Sequence, residues 1–136
     1  MQILTLYIST AVIFLGLDAI MLKTVIRPVF ETRISHLLLD DLRLAPAAIF
    51  YLFYVGGLVW FVSHPALRDG NPWQALSNGM LIGAMAYGTY EFTNFATLRD
   101  WSPRMVAVDL AWGTVLTGGS ALLGVLITQA LFRNAG

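Results

Sequence analysis

The chain has 136 residues, with eight Lys or Arg and eight Asp or Glu, so its formal net charge is zero. Charged residues make up 12% of the sequence and apolar residues 57%, whereas a soluble domain contains about 25% charged residues. This balance excludes bulk attraction to nucleic acid, and the absence of cysteine excludes disulfides and thiolate chemistry. Because the charges cluster between long apolar runs, the composition predicts a protein embedded in a lipid bilayer.

Four apolar segments have the roughly 20 residues that a helix needs to cross the hydrocarbon core. They lie at about residues 3–22, 45–63, 74–98 and 105–132. Backbone polar groups cannot remain unpaired in lipid, and the alternation expected of barrel strands is absent, so each segment is predicted to be helical. The predicted fold class is all-α, a four-transmembrane-helix bundle that forms one integral membrane domain over residues 1–136.

The longest connection, residues 24–44, has a helical pattern of its own. Phe30, Ile34 and other apolar residues recur at helical spacing, and Pro28 suits a first helical turn. The pattern predicts a short amphipathic helix at residues 28–39 that lies in the membrane surface between helices 1 and 2. The alternative is an ordinary solvated loop.

Positive charges are distributed unevenly over the connections, with six in the first and third and two on the opposite side. The six are Lys23, Arg27, Arg33, Arg43, Arg99 and Arg104, and the two are Arg68 and Arg133. Connections rich in Lys and Arg stay in the cytoplasm, so we predict both termini outside it. Trp60 and Trp73 would then mark the outer surface and Trp101 the inner surface.

Small residues recur at intervals of about four in the third and fourth segments. Gly79, Gly83 and Gly88 lie in the third, and Gly113 and Gly124 lie in the fourth. Such rows allow two helix backbones to approach closely. We predict packing inside the bundle, with dimerisation as the alternative.

Three carboxylates, Asp18, Glu91 and Asp109, interrupt the apolar runs. Ionisable groups at membrane depth are costly and indicate a functional site. At a rise of about 1.5 Å per residue, Asp18 and Asp109 lie roughly 8 Å and Glu91 roughly 12 Å from the cytoplasmic boundary. Three acids at one level cannot all be ionised in a low dielectric, so they would hold a shared proton, a cation or the cationic group of a ligand.

Polar side chains accompany the acids. Tyr90 and Asn94 share a helix face with the glycines of the third segment, which predicts that they point inward with Glu91 at the edge of that face. Trp112 lies one turn beyond Asp109. The predicted ligand-binding residues are Asp18, Tyr90, Glu91, Asn94, Asp109 and Trp112.

The predicted pocket opens to the cytoplasm and is rimmed by Lys23, Arg99 and Arg104, with no Lys or Arg inside the predicted helices. The structural alternative is that Asp18 and Asp109 reach the interface or pair with these cations. No catalytic residue, metal site or cofactor motif is predicted, since no histidine lies at the depth of the hydroxyl groups. An all-oxygen metal site would favour Mg²⁺ or Mn²⁺ over zinc.

Four stretches resemble a bacterial membrane-protein family, domain of unknown function 2177. They are Phe14–Ile20, Tyr87–Asn94, Ala96–Trp101 and Val108–Thr114. The resemblance implies a four-helix bacterial inner-membrane protein with polar positions at Asp18, Tyr90, Asn94, Asp109 and Trp112. It implies no particular activity. Family members often have Asp in place of Glu91 and Trp in place of Met21.

The sequence leaves three functional hypotheses. The first is a bundle whose acidic pocket binds or transports a small ligand or cation, which for four helices would favour a homo-oligomer. The second is a structural or accessory subunit docked on a larger membrane complex, with acids that serve only helix packing. The third is an intramembrane enzyme that acts on lipid. All three place the chain in contact with the lipid bilayer.

Overall fold

A computed structural model describes residues 1–39 and 43–133. Over these residues the chain is helical without strands, which confirms the all-α fold class. The helices are α1 (Gln2–Leu37), α2 (Leu44–Arg68), α3 (Pro72–Thr97) and α4 (Pro103–Arg133). By length and apolar composition, α1, α2 and α4 can cross a membrane. The 26-residue helix α3 is more polar and lies outside that set.

Helix α1 does not end at the predicted residue 22. It is α-helical over Gln2–Met21, makes a π-helical turn at Leu22–Ile26 and is α-helical again over Arg27–Ile34. The segment predicted as a separate interfacial helix is therefore the end of α1. At about 1.5 Å per residue the helix spans roughly 54 Å, more than the roughly 30 Å of a hydrocarbon core.

The wide turns in α1 and α2 have the same local cause. Leu22–Ile26 and Val59–Ser63 are π-helical, and each ends two residues before a proline, Pro28 and Pro65. A proline lacks the N–H group, and its ring crowds the carbonyl group four residues earlier. A π turn accommodates the proline without breaking the helix. Helix α2 therefore continues past its predicted end to Arg68.

Helix α4 is central and contacts each of the other three helices. A Cβ atom added to Gly79 of α3 would lie 2.9 Å from the Cα atom of Gly118 in α4, and one added to Gly83 would meet the carbonyl oxygen of Gly113. On the other side of α4, Gly124 is covered by α1. These close approaches confirm the predicted packing of small residues inside the bundle.

Helix α2 packs on the bundle mainly through its second half. Val55, Leu58 and Val62 are buried, whereas Ile49 and Phe53 are 71% and 76% exposed. Apolar side chains this exposed are suited to contact with lipid. The first half of α2 therefore leaves space between itself and the other helices, at the end of the bundle where α1 leads to α2 and α3 to α4.

The last turns of α1 pack on the beginning of α4. Phe30 and Ile34 are buried together with Trp101 and Met105, and the rings of Phe30 and Trp101 meet edge to face at 5.3 Å. Trp101 is only 8% exposed, so it packs within the protein, and its depth at the inner membrane surface stays a prediction. The apolar face at the end of α1 is used for packing within the protein.

Candidate functional site

A cavity of about 560 Å³ lies between the first half of α2 and the other three helices. This volume is within the range of sites that hold small organic ligands. Its polar lining residues are Asp18, Arg27, Tyr51, Tyr54, Tyr87, Tyr90 and Asp109. The rest of the lining is apolar and includes Leu22, Ile26, Phe30 and Phe50.

The α1 wall of the cavity is a row of residues spaced by four: Asp18, Leu22, Ile26 and Phe30. In a regular α-helix, residues four apart drift by about 40° around the axis, so such a row would turn away from the cavity. The π turn at Leu22–Ile26 holds more residues per turn and reduces this drift. All four side chains, from the Asp18 carboxyl group to the Phe30 ring, therefore stay on one wall of the cavity.

Asp18 is the point at which three helices meet. The indole Nε1 of Trp112 in α4 donates a hydrogen bond of 3.1 Å to its Oδ1, and the hydroxyl group of Tyr51 in α2 lies close to the same carboxyl group. The Trp112 bond fixes one side of the carboxyl group. Its other side lies at the cavity.

Glu91 lies behind the cavity and is fully buried. The indole Nε1 of Trp101 donates a hydrogen bond of 3.0 Å to its Oε1. Its Oε2 has no donor among residues 1–39 and 43–133, and the carboxyl group lies against that of Asp109. Two ionised carboxylates side by side in water-poor surroundings repel each other, so this pair would share one proton.

Aromatic side chains form the rest of the polar wall. The Tyr87 ring lies directly on Gly113, where any side chain would collide with it. The buried hydroxyl group of Tyr87 lies beside that of Tyr51 in α2, with no well-formed hydrogen bond among residues 1–39 and 43–133. Tyr54 is held by a bond of 3.0 Å between its hydroxyl group and that of Thr117. The cavity therefore presents tyrosine hydroxyl groups beside two carboxyl groups.

The predicted site residues lie in three different places. Asp18, Asp109 and Tyr90 line the cavity, and Tyr90 is half-exposed. Glu91 and Trp112 lie behind the cavity wall, where Glu91 contacts Asp109 and Trp112 donates a hydrogen bond to Asp18. The predicted face of α3 was wrong, since Glu91 continues the buried row of small residues and Tyr90 lies beside it at the exposed rim of the cavity. Asn94 lies beside Tyr90 and outside the lining of the cavity.

The cationic side chain that lines the cavity is not one of the three that were predicted to lie at its rim. Lys23, Arg99 and Arg104 are exposed and do not line the cavity, whereas Arg27 does. The prediction assumed that the helix ended before Arg27, and the π turn carries α1 past it. The prediction that the helices contain no cation was wrong for the same reason.

Sequence reasoning gave too little weight to Tyr51, Tyr54 and Tyr87. A signal for Tyr87 was present, because it lies four residues before Glu91 and four after Gly83 on one row of α3. Phe30 and Phe50 had no comparable signal. Their position at the cavity depends on the path of α1 beyond its π turn and on the space between the first half of α2 and the other helices.

The fold and the cavity define a helical membrane protein with an acid-lined internal site. The chain belongs to the family described as predicted membrane protein DUF2177, whose model matches residues 3–126, and this confirms the resemblance seen in the sequence. Comparison with curated proteins and with solved structures gave no match.

Proposed function

We propose that the protein binds a small ligand with a cationic group, which lies between Asp18 and Asp109. The observation that carries this proposal is that both carboxyl groups line one cavity whose other walls are aromatic and apolar. Carboxylates attract a cation strongly where water is scarce, and tyrosine rings attract it through their faces. The apolar walls suit the remainder of an organic ligand.

The charges around the cavity support a cation. If Glu91 and Asp109 share one proton, the pair keeps one negative charge and Asp18 adds a second. Arg27 does little to offset them, because it follows Asp18 by nine residues, about 13 Å along the axis of α1. A bound cation would neutralise the inner end of the cavity, which is the end that holds Asp18 and Asp109.

We also propose that α3 is a fourth membrane span. It packs antiparallel to the membrane-length helix α4 from Gly79 to Glu91, so the two helices occupy the same depth. The excess of Lys and Arg at the end of the bundle that holds the last turns of α1 and the first and third connections favours a cytoplasmic position for that end. The cavity then opens on the cytoplasmic side of a bacterial inner membrane, with both termini on the other side.

Reporter fusions test this orientation. A reporter active only in the cytoplasm should be active when inserted at Asp100, in the third connection, and silent at Gly70, in the second. The opposite pattern would invert the protein and move the cavity to the outer side. Equal activity at both sites would mean that α3 does not cross the membrane.

Ligand binding is tested with hexylammonium chloride added to the full chain in non-ionic detergent micelles. Calorimetry should show saturable binding, and hexanol, which lacks the charge, should bind at least about tenfold more weakly. Intrinsic tryptophan fluorescence should change with the same midpoint, because the Trp112 indole is bonded to Asp18.

The decisive variant is Asp109→Asn, which keeps the shape of the side chain and removes its charge. We expect hexylammonium binding to weaken by about tenfold or more, with helix content unchanged by circular dichroism. Asp69→Asn, in the exposed connection between α2 and α3, is the matched control and should bind as the unaltered chain does. Equal binding by Asp109→Asn would refute the proposal and favour the accessory-subunit hypothesis.

A further inference from the structure

The geometry points to a phospholipid as the ligand, one whose headgroup joins a primary ammonium group to a phosphate. The ammonium group would lie between Asp18 and Asp109, and the phosphate at Arg27. This inference rests on the proposed cation site and adds the identity of the molecule that carries the cation. It depends on three further observations: the position of Arg27, the exposed rim of the cavity and the buried hydroxyl group of Tyr87.

Arg27 gives the cavity a second, oppositely charged end. It follows Asp18 by nine residues, about 13 Å along the axis of α1, and both side chains line the cavity. Glu31 occupies only the Nε of Arg27. A guanidinium group has five N–H donors, so its terminal amino groups have donors left for a phosphate, which arginine binds in a bidentate manner.

Part of the cavity wall lies on the outer surface of the bundle, where apolar side chains are exposed. Three of its lining residues, Leu22, Phe50 and Tyr90, are 41%, 60% and 53% exposed. A lipid could therefore enter from the bilayer with its acyl chains outside, against the exposed first half of α2. A small water-soluble zwitterion would leave the apolar walls at Ile26 and Phe30 uncovered.

A primary ammonium group fits the inner end better than a quaternary one. It has N–H donors for Asp18, Asp109 and the buried Tyr87 hydroxyl group, which makes no well-formed hydrogen bond among residues 1–39 and 43–133. A quaternary ammonium group has no N–H donor for any of these three groups. An anionic glycerol headgroup would place no positive charge near the acids.

The test is native mass spectrometry of the full chain, released from detergent with dioleoyl phosphatidylethanolamine, phosphatidylcholine or phosphatidylglycerol. We expect adducts with phosphatidylethanolamine at a lipid concentration about tenfold lower than for the other two. Equal binding of the three lipids would overturn the inference. Soluble phosphoethanolamine is the fourth probe, and binding as tight as that of the lipid would assign the site to a free zwitterion instead.

Variants of α1 test the role of Arg27. Arg27→Gln should weaken phosphatidylethanolamine binding by about tenfold, and Arg27→Lys should restore part of it. Glu31→Gln, which removes the ion pair and keeps the guanidinium group, should bind at least as well as the unaltered chain. Arg33→Gln is the matched control, because Arg33 is exposed on the same helix and does not line the cavity. Unchanged binding by Arg27→Gln would refute the phosphate site.

The outcomes separate this inference from the proposed function. If phosphatidylethanolamine shows no preference while hexylammonium still binds in a manner that depends on Asp109, the cation site stands and the lipid assignment falls. If neither probe depends on Asp109, both fall. Should Arg27→Gln fail to fold, the comparison of the three lipids on the unaltered chain still decides.

Discussion

The two ends of the α3–α4 helix pair are built differently along one row of side chains. On α3 the row runs through Ala75, Gly79, Gly83, Tyr87 and Glu91. Its two glycines bring the backbones of the two helices into contact. The last two place a phenol ring and a carboxyl group between the helices. The size of the side chain at every fourth position thus determines where the helices touch and where a site forms.

The two ends of the helix pair are also held together by different interactions. The glycine end is held by close backbone approach, which tolerates no added atom. The acidic end is held by hydrogen bonds from two tryptophans, Trp101 to Glu91 and Trp112 to Asp18. We therefore expect substitutions at the glycine end to change the free energy of unfolding most, and substitutions at the acidic end to change ligand binding most.

The largest effect on stability should come from Gly83→Ala. The added Cβ atom would collide with the carbonyl oxygen of Gly113 and with Thr117, so the two backbones must move apart. We expect a loss of about 1–3 kcal/mol in the free energy of unfolding, measured by denaturant titration in micelles. Gly119→Ala is the matched control, because a Cβ atom there meets nothing within 4 Å. Equal stability of the two variants would contradict a close backbone contact between α3 and α4 at Gly83.

A smaller loss should follow Trp101→Phe at the acidic end. The phenyl ring keeps a contact with Phe30, but the buried Glu91 carboxyl group loses its donor. Leaving a buried polar group unpaired costs about 1–2 kcal/mol. Trp73→Phe provides the control, since Trp73 is 68% exposed. If both variants unfold at the same denaturant concentration, the Trp101 bond does not hold this end.

The smallest effect is expected where the two regions meet. Tyr54 and Thr117 share a hydrogen bond of 3.0 Å, and such bonds between membrane helices average about 0.6 kcal/mol in double-mutant cycles. A cycle of Tyr54→Phe, Thr117→Val and the double variant should give a coupling of about that size. A coupling near zero would place the boundary between the two regions elsewhere.

Helix type and packing rows could be predicted because they follow from composition and spacing. The apolar runs specified helices, and the glycine spacing specified the contact between α3 and α4. The depth estimate placed Asp18, Glu91 and Asp109 at one level, and the structure brings the first and third to one cavity with the second behind. Their role as a binding site stays a prediction.

Helix ends and side-chain directions could not be predicted in the same way. Pro28 was predicted to lie in the first turn of a separate helix, and the second segment was predicted to end at residue 63, but a π turn carries the helix past Pro28 and past Pro65. No periodic pattern signals such a turn, because it changes the period itself. The error at Pro28 removed Arg27 from the site. Tyr90 and Glu91 are neighbours, and both lie close to the wide face of α3 that carries the glycines, so the spacing alone assigned Tyr90 inward. Only the packing of α3 against α4 distinguishes Tyr90 from Glu91.

The row of α1 residues from Asp18 to Phe30 also limits how the family can diverge in length. Losing one residue from the α-helical stretch between Asp18 and the π turn would rotate everything beyond it by about 100°. Phe30 would then leave Trp101, and Arg27 would leave the cavity. A deletion at this point alters no polar group of the site, yet it would separate the two charged ends of the cavity. Insertions and deletions should therefore be rare in this stretch.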